Sequence, residues 1–222
     1  MQENNDTRPA VVVLGGGPLA AALPDTLRRA VITVAADSGA DHALAAGITP
    51  TLVVGDLDSI SDDARCALTE AGVAFDRFDA DKDATDGFLA IDAALELGAS
   101  TITLVSGAGI DRLDHLLAVV ALLAHPRADG VDLDAYLGNA HVQRARPERS
   151  VLIDYPAGST VTLLPLFGTV EGVHTTGLYW PLDLATLPVG SSRGVSNLVV
   201  QSPATVSVTS GLLLVIVPEA LA

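Results

Sequence analysis

LVVGDLDSIS, residues 52–61, is a short apolar run that stops at a glycine and then sets two aspartates two residues apart. An apolar run bounded by a turn signal reads as a buried strand, and SDDARCALTEAG (61–72) carries on at helical spacing. A carboxylate pair at the end of a buried strand is costly unless a cation or backbone donors hold it. The same strand–loop–helix grammar runs outward on both sides. AVVVLG (10–15), AVITVAA (30–36), VAFDRFD (73–79), STITLVSG (100–107) and VDLDAYLG (131–138) read as further strands. LAAALPDTLRRA (19–30), ADHALAAG (40–47), DGFLAIDAALELG (86–98) and RLDHLLAVVALLAH (112–125) read as the helices between them, with Gly47, Gly72 and Gly98 closing three. Alternation of this kind predicts a doubly wound, mostly parallel α/β sheet over residues 10–138.

From about residue 140 the pattern changes to short Val/Thr/Leu runs separated by Gly, Pro and Ser, with no convincing long helix. Residues 139–222 are therefore expected to form an antiparallel β-sandwich domain.

Composition narrows the function. The chain has 222 residues, 49% hydrophobic and 18% charged, which suits one or two compact domains with disorder confined to MQENNDTRP at the N-terminus. The formal net charge is −15, from 27 acids against 12 bases, and Lys82 is the only lysine. That balance excludes a nucleic-acid or acidic-membrane surface, since a phosphate-backbone binder needs a basic stripe. No apolar run is long enough to span a bilayer and no secretory signal is visible, so a cytoplasmic protein is expected. Cys66 is alone and reads as a small buried or half-buried filler in its helix.

The acids fall in a pattern. Asp37 follows the second strand, Asp56 and Asp58 the third, Asp79, Asp81, Asp83 and Asp86 the fourth, and Asp111 and Asp114 the fifth, while Gly15–Gly17 follow the first. The C-terminal ends of parallel strands lie along one edge, where ligands bind. Four acidic loops gathered there repel one another and call for a multivalent cation. All-oxygen ligands point to Mg²⁺, commonly held by one or two carboxylates together with substrate phosphates. Some of these residues also serve as ordinary helix caps, Thr85 among them. Lys82 and Arg112 are the rare cations among these loops, and Arg112 suits either phosphate oxygens or an ion pair with a neighbouring aspartate. His115 reads as a structural hydrogen-bonding residue.

With these loops assembled, the chain resembles the thiamine pyrophosphokinase family. The matching stretches are ADSGADHALAAGITPTLVVGDLDSIS (36–61), DKDATDGFLAIDAAL (81–95), GAGIDRLDHLLAVVALL (107–123), VTLLPL (161–166), GLYWPL (177–182) and Ser196–Asn197. Leu57 stands where the family often has phenylalanine, Ser38 where glycine is common, and Gly87 where an acid often follows Asp86. The resemblance implies an α/β domain, a β-sandwich, and a homodimer with active sites between domains of different subunits. It implies ATP-dependent transfer of an intact diphosphoryl group to thiamine, releasing AMP. By position, Asp56, Asp58 and Asp86 would hold Mg²⁺; Asp114, with Asp37, would complete the acidic site. Lys82, Thr85 and Arg112 would lie on the nucleotide side, and Trp180, Ser196 and Asn197 on the thiamine side. Rival expectations are a diphosphokinase for another alcohol, such as a hydroxymethylpterin, a non-catalytic relative, and an Mg²⁺ phosphatase.

Overall fold

The computed structural model describes residues 7–79, 81–107 and 112–222; Asp111 and the first six residues lie outside the described set. Contacts divide the chain into two units, meeting between Gly138 and Asn139.

The first unit holds strands β1 (Pro9–Val13), β2 (Ile32–Ala36), β3 (Leu52–Gly55), β4 (Ala74–Arg77), β5 (Thr101–Ser106) and β6 (Asp132–Leu137). They lie in the order β6-β5-β1-β2-β3-β4, and every neighbouring pair is parallel. The β2 side chains are buried throughout, as are those of β1 after Pro9. Continuous burial is what unbroken apolar runs become in a parallel sheet covered on both faces. The helices are α1 (Asp25–Arg28), α2 (Gly39–Ala45), α3 (Asp62–Glu70), α4 (Asp86–Glu96) and α5 (Leu113–Ala121).

Helix ends follow local chemistry. Ser61 caps α3 by accepting from the Ala64 N–H at 3.1 Å, and Thr85 caps α4 by accepting from the Phe88 N–H at 3.3 Å. At the far ends of α2, α3 and α4, Gly47, Gly72 and Gly98 donate to Leu44, Thr69 and Leu95. The residues after them, Ile48, Val73 and Ala99, donate to Ala43, Leu68 and Ala94, completing the paired closing bonds that turn the chain toward the next strand.

Two local expectations need correction. The stretch 19–30 yields only the four-residue α1, which starts just after Pro24, because the ring disfavours helical geometry at Leu23 before it. Cys66 is exposed, not buried: α3 buries Ala64 and Leu68, and Cys66, two residues along, faces away from that stripe.

Strand register decides where the loops emerge. Val13 pairs with Ala35 and Val105, Ala36 with Val54, Gly55 with Arg77, and Ser106 with Leu137. The C-terminal ends are thus aligned to within about two residues, and the chain reverses direction across the sheet between β1 and β5. That reversal is the topological switch point, where such sheets place their ligands.

The second unit holds β7 (Ala140–Ala145), β8 (Val151–Ile153), β9 (Thr160–Leu164), β10 (Val170–Thr176), β11 (Ala185–Leu187), β12 (Asn197–Leu198), β13 (Ala204–Ser207) and β14 (Leu213–Val217). They form two antiparallel groups, β12-β9-β14-β7 and β11-β10-β13-β8. Inward residues of both groups, among them Val161, Leu163, Leu213 and Val215 with Ile153, Val173, Leu187 and Val206, share one core, which makes the unit a sandwich. No described helix is long and apolar enough to cross a membrane.

Candidate active site

A cavity of about 330 Å³ opens at the switch point. Its floor comes from the loops after β1 and β5. Ser106 Oγ donates to the Gly15 carbonyl at 2.6 Å, and a Cβ at Gly107 would meet the Gly17 carbonyl oxygen at 2.5 Å, so the two loops approach more closely than a side chain there allows. Leu14, Leu116, Val119 and Leu122 give the cavity an apolar wall, and Asp37, Ser38, Ser59 and Asp86 give it a polar rim. An apolar slot with a few converging polar groups suits a small planar ligand with a charged tail. An open hollow beside it is lined by Asp56, Asp58, Arg77, Phe78 and Asp79.

Backbone geometry assembles the acids. Asp37 and Leu57 both take left-handed conformations, φ 48° and 66°. Asp37 Oδ1 accepts from the Leu57 N–H at 2.9 Å, and Asp56 Oδ1 accepts from the Asp58 N–H at 3.1 Å. Gly55 has φ 149°, and a Cβ there would lie 2.6 Å from Asp37 Oδ1 and 3.2 Å from Asp86 Oδ1. Glycine is therefore what lets carboxylates from three loops close in on one strand end. Carboxylate oxygens of Asp37, Asp56 and Asp58 lie within 4.8 Å of one another.

Their electrostatics record the crowding. Burial, then the charge of Asp86, raises the Asp37 pKa, partly offset by the Leu57 N–H. The Asp58 N–H lowers Asp56, and the Asp56 charge in turn raises Asp58. Lys82, the single lysine, places Nζ 2.8 Å from Asp86 Oδ1. Its burial works against the ammonium, but the bond to Asp86 and the charges of Asp86, Asp56 and Asp37 outweigh that and raise its pKa. Mutually repelling hard oxygen donors with one lysine beside them fit a divalent cation such as Mg²⁺.

The sequence-based candidates divide accordingly. Asp37, Asp56, Asp58, Asp86 and Lys82 are brought together, with Asp37 closer to the Asp56–Asp58 pair than its secondary place in the sequence reading suggests. Thr85 lines the cavity while its hydroxyl caps α4. Arg112 turns to Asp114, with bonds of 3.0 and 2.6 Å that pull the Asp114 pKa down to about 2. His115 is exposed and lines the cavity. In the second unit, Trp180 is exposed, Ser196 has φ 57° and donates its N–H to Thr162 Oγ1 at 3.1 Å, and Asn197 is buried. Sequence reasoning gave Ser38 no role beyond replacing a common glycine and passed over Ser59; the Ser38 N–H donates to Ser59 Oγ at 3.1 Å and ties the loops after β2 and β3 at the rim. Their place just after strand ends was the available signal.

A parallel α/β unit with an acid-rimmed cavity at its switch point, followed by a β-sandwich, defines a class: a two-domain protein with a ligand cavity beside a carboxylate cluster suited to a divalent cation. Comparison with known proteins narrows it. Residues 23–134 match the family described as "Thiamin pyrophosphokinase, catalytic domain", and residues 149–213 match "Thiamin pyrophosphokinase, vitamin B1 binding domain". The chain is 28% identical over 206 residues to thiamine pyrophosphokinase of Bacillus subtilis (strain 168), covering 92% of this chain and 96% of that protein. The crystal structure of thiamin pyrophosphokinase from Geobacillus thermodenitrificans is 30% identical with a TM-score of 0.74, covering 93% of this chain and 96% of its own. A thiamin pyrophosphokinase family protein from Enterococcus faecalis is 28% identical with a TM-score of 0.77, over 95% and 98%. The chain belongs to the thiamine pyrophosphokinase family, whose known activity is ATP-dependent diphosphorylation of thiamine.

Proposed function

We propose that the chain transfers the terminal diphosphoryl group of ATP to the hydroxyl of thiamine, giving thiamine diphosphate and AMP. The convergence of Asp37, Asp56 and Asp58 beside the switch-point cavity carries this proposal. The first unit would bind nucleotide and metal; the second would bind thiamine and form the homodimer. Asp56, Asp58 and Asp86, with Asp37 beside them, would hold Mg²⁺. When bound, the ion neutralises phosphate charge and stabilises the leaving AMP.

The chain's own groups have separable roles. The apolar wall of Leu116, Val119 and Leu122 takes the adenine base, and the loop at Gly15–Gly16 lies against the phosphates. Lys82 and Arg112 supply positive charge to the phosphate oxygens, Arg112 by leaving Asp114. Asp86 or Asp114 accepts the thiamine hydroxyl proton. The thiamine oxygen then bonds to the β-phosphorus as the bond from that phosphorus to the α–β bridging oxygen breaks, and AMP leaves with the electron pair. The acidic rim attracts the cationic thiazolium, and Trp180 offers thiamine an aromatic face. The compartment proposed is the cytoplasm, where Cys66 would stay reduced.

An acceptor competition tests the proposal. The chain is incubated with Mg²⁺-ATP and equal concentrations of thiamine and a hydroxymethylpterin, and the products are separated by chromatography. Diphosphorylated thiamine as the main product is expected; diphosphorylated pterin, or neither, overturns the assignment.

A further inference from the structure

In the second unit, Tyr179 and Trp180 are 60% and 55% exposed, with ring centroids 4.8 Å apart at 80°, an edge-to-face pair standing in solvent. The backbone beneath them is fixed in an unusual way. Residues 177–180 run against 197–201: Tyr179 N–H donates to the Leu198 carbonyl at 2.9 Å, and Val200 N–H donates to the Gly177 carbonyl at 2.8 Å. At Trp180 a side chain continues the pairing. Asn197, 3% exposed, accepts the Trp180 N–H on Oδ1 at 3.0 Å and donates Nδ2 to the Trp180 carbonyl at 2.8 Å. The same Oδ1 accepts the Leu198 N–H at 2.8 Å. Pro181 follows with no N–H to extend a ladder. The buried amide thus stands in for a peptide unit and holds both polar backbone groups of the exposed tryptophan.

We infer that Asn197 is a positioning residue for the acceptor, acting through Trp180 by fixing the backbone that presents the indole. The inference rests on the proposal that Trp180 lies on the thiamine side. A face immobilised before binding costs less ordering when a planar cationic ring stacks on it, so the amide contributes to acceptor affinity without touching the acceptor.

Trp180 is the single tryptophan, so its fluorescence reports this backbone directly. In Asn197→Ala, far-UV circular dichroism is expected to stay native while Trp180 anisotropy falls. The thiamine KM should rise about tenfold, with kcat and the ATP KM little changed. Trp180→Ala should raise the thiamine KM likewise, and the double variant should add nothing further, since both changes act through one group. If Asn197→Ala does not fold, the smaller change Asn197→Ser is read the same way. Unchanged anisotropy, or additive effects in the double variant, overturns the positioning role alone. A normal thiamine KM in Trp180→Ala overturns both that role and the placing of Trp180 on the acceptor side.

Discussion

Replacing Gly55 with alanine probes the device that gathers the acids. The φ of 149° belongs to a region essentially reserved for glycine, and forcing another residue into such a region costs about 1–3 kcal/mol. The new Cβ would stand 2.6 Å from Asp37 Oδ1 and 2.9 Å from its Cγ, so Asp37 must move, and its 2.9 Å bond from the Leu57 N–H goes with it. Losing that bond adds about 1 kcal/mol. The sum is about 2–4 kcal/mol. Gly72→Ala is the control: its φ is 72°, but no atom lies within 4 Å of the added Cβ. It should cost only the left-handed backbone penalty of about 1–2 kcal/mol. Urea unfolding and steady-state kinetics with Mg²⁺-ATP and thiamine read the two effects separately. Gly55→Ala should lose more stability than the control and about 100-fold or more in kcat/KM, while Gly72→Ala keeps its activity. A Gly55→Ala protein with wild-type kcat/KM would refute the idea that the close approach of Asp37 to this strand end matters for catalysis.

Three further outcomes follow from the same site. Asp56→Asn keeps an acceptor for the Asp58 N–H, so the loop should fold while turnover drops by about 10² or more; near-normal turnover at saturating Mg²⁺ would contradict the metal role. For Asp37, burial and then the Asp86 charge raise the folded-state pKa, so stability from this group is present below its unfolded value of 3.8 and is lost as pH rises through the raised one. Asp37→Asn should therefore exceed wild type in urea midpoint at about pH 7, with the gap closing by about pH 4; a gap that widens on acidification would contradict the sign. Arg112→Ala removes an exposed pair that solvent screens, so the urea midpoint should barely move while the ATP KM rises; an unchanged ATP KM would confine Arg112 to its bond with Asp114.

Much of the α/β fold was legible because its signals are local. Apolar runs ending at Gly15, Asp37, Asp56 and Gly107 mark strand ends, and parallel pairing then aligns those ends without further information. The proline at 24 that shortens α1 was likewise in plain sight. So was the outward facing of Cys66, once Ala64 and Leu68 are taken as the buried stripe of α3. The site was legible as an acidic edge but not as a set of distances. That Asp37 joins Asp56 and Asp58 while Lys82 takes Asp86 depends on left-handed turns at Asp37 and Leu57 and on a bond across 20 positions of sequence. The amide of Asn197 was hidden for the same reason. Its partners are set by how residues 177–180 pair with 197–201, which no local pattern encodes.

Phosphorus NMR of the complete reaction reaches the central claim most directly. With Mg²⁺-ATP and thiamine, AMP and thiamine diphosphate should accumulate together in equal amounts. ADP or orthophosphate appearing in place of AMP would contradict transfer of an intact diphosphoryl group.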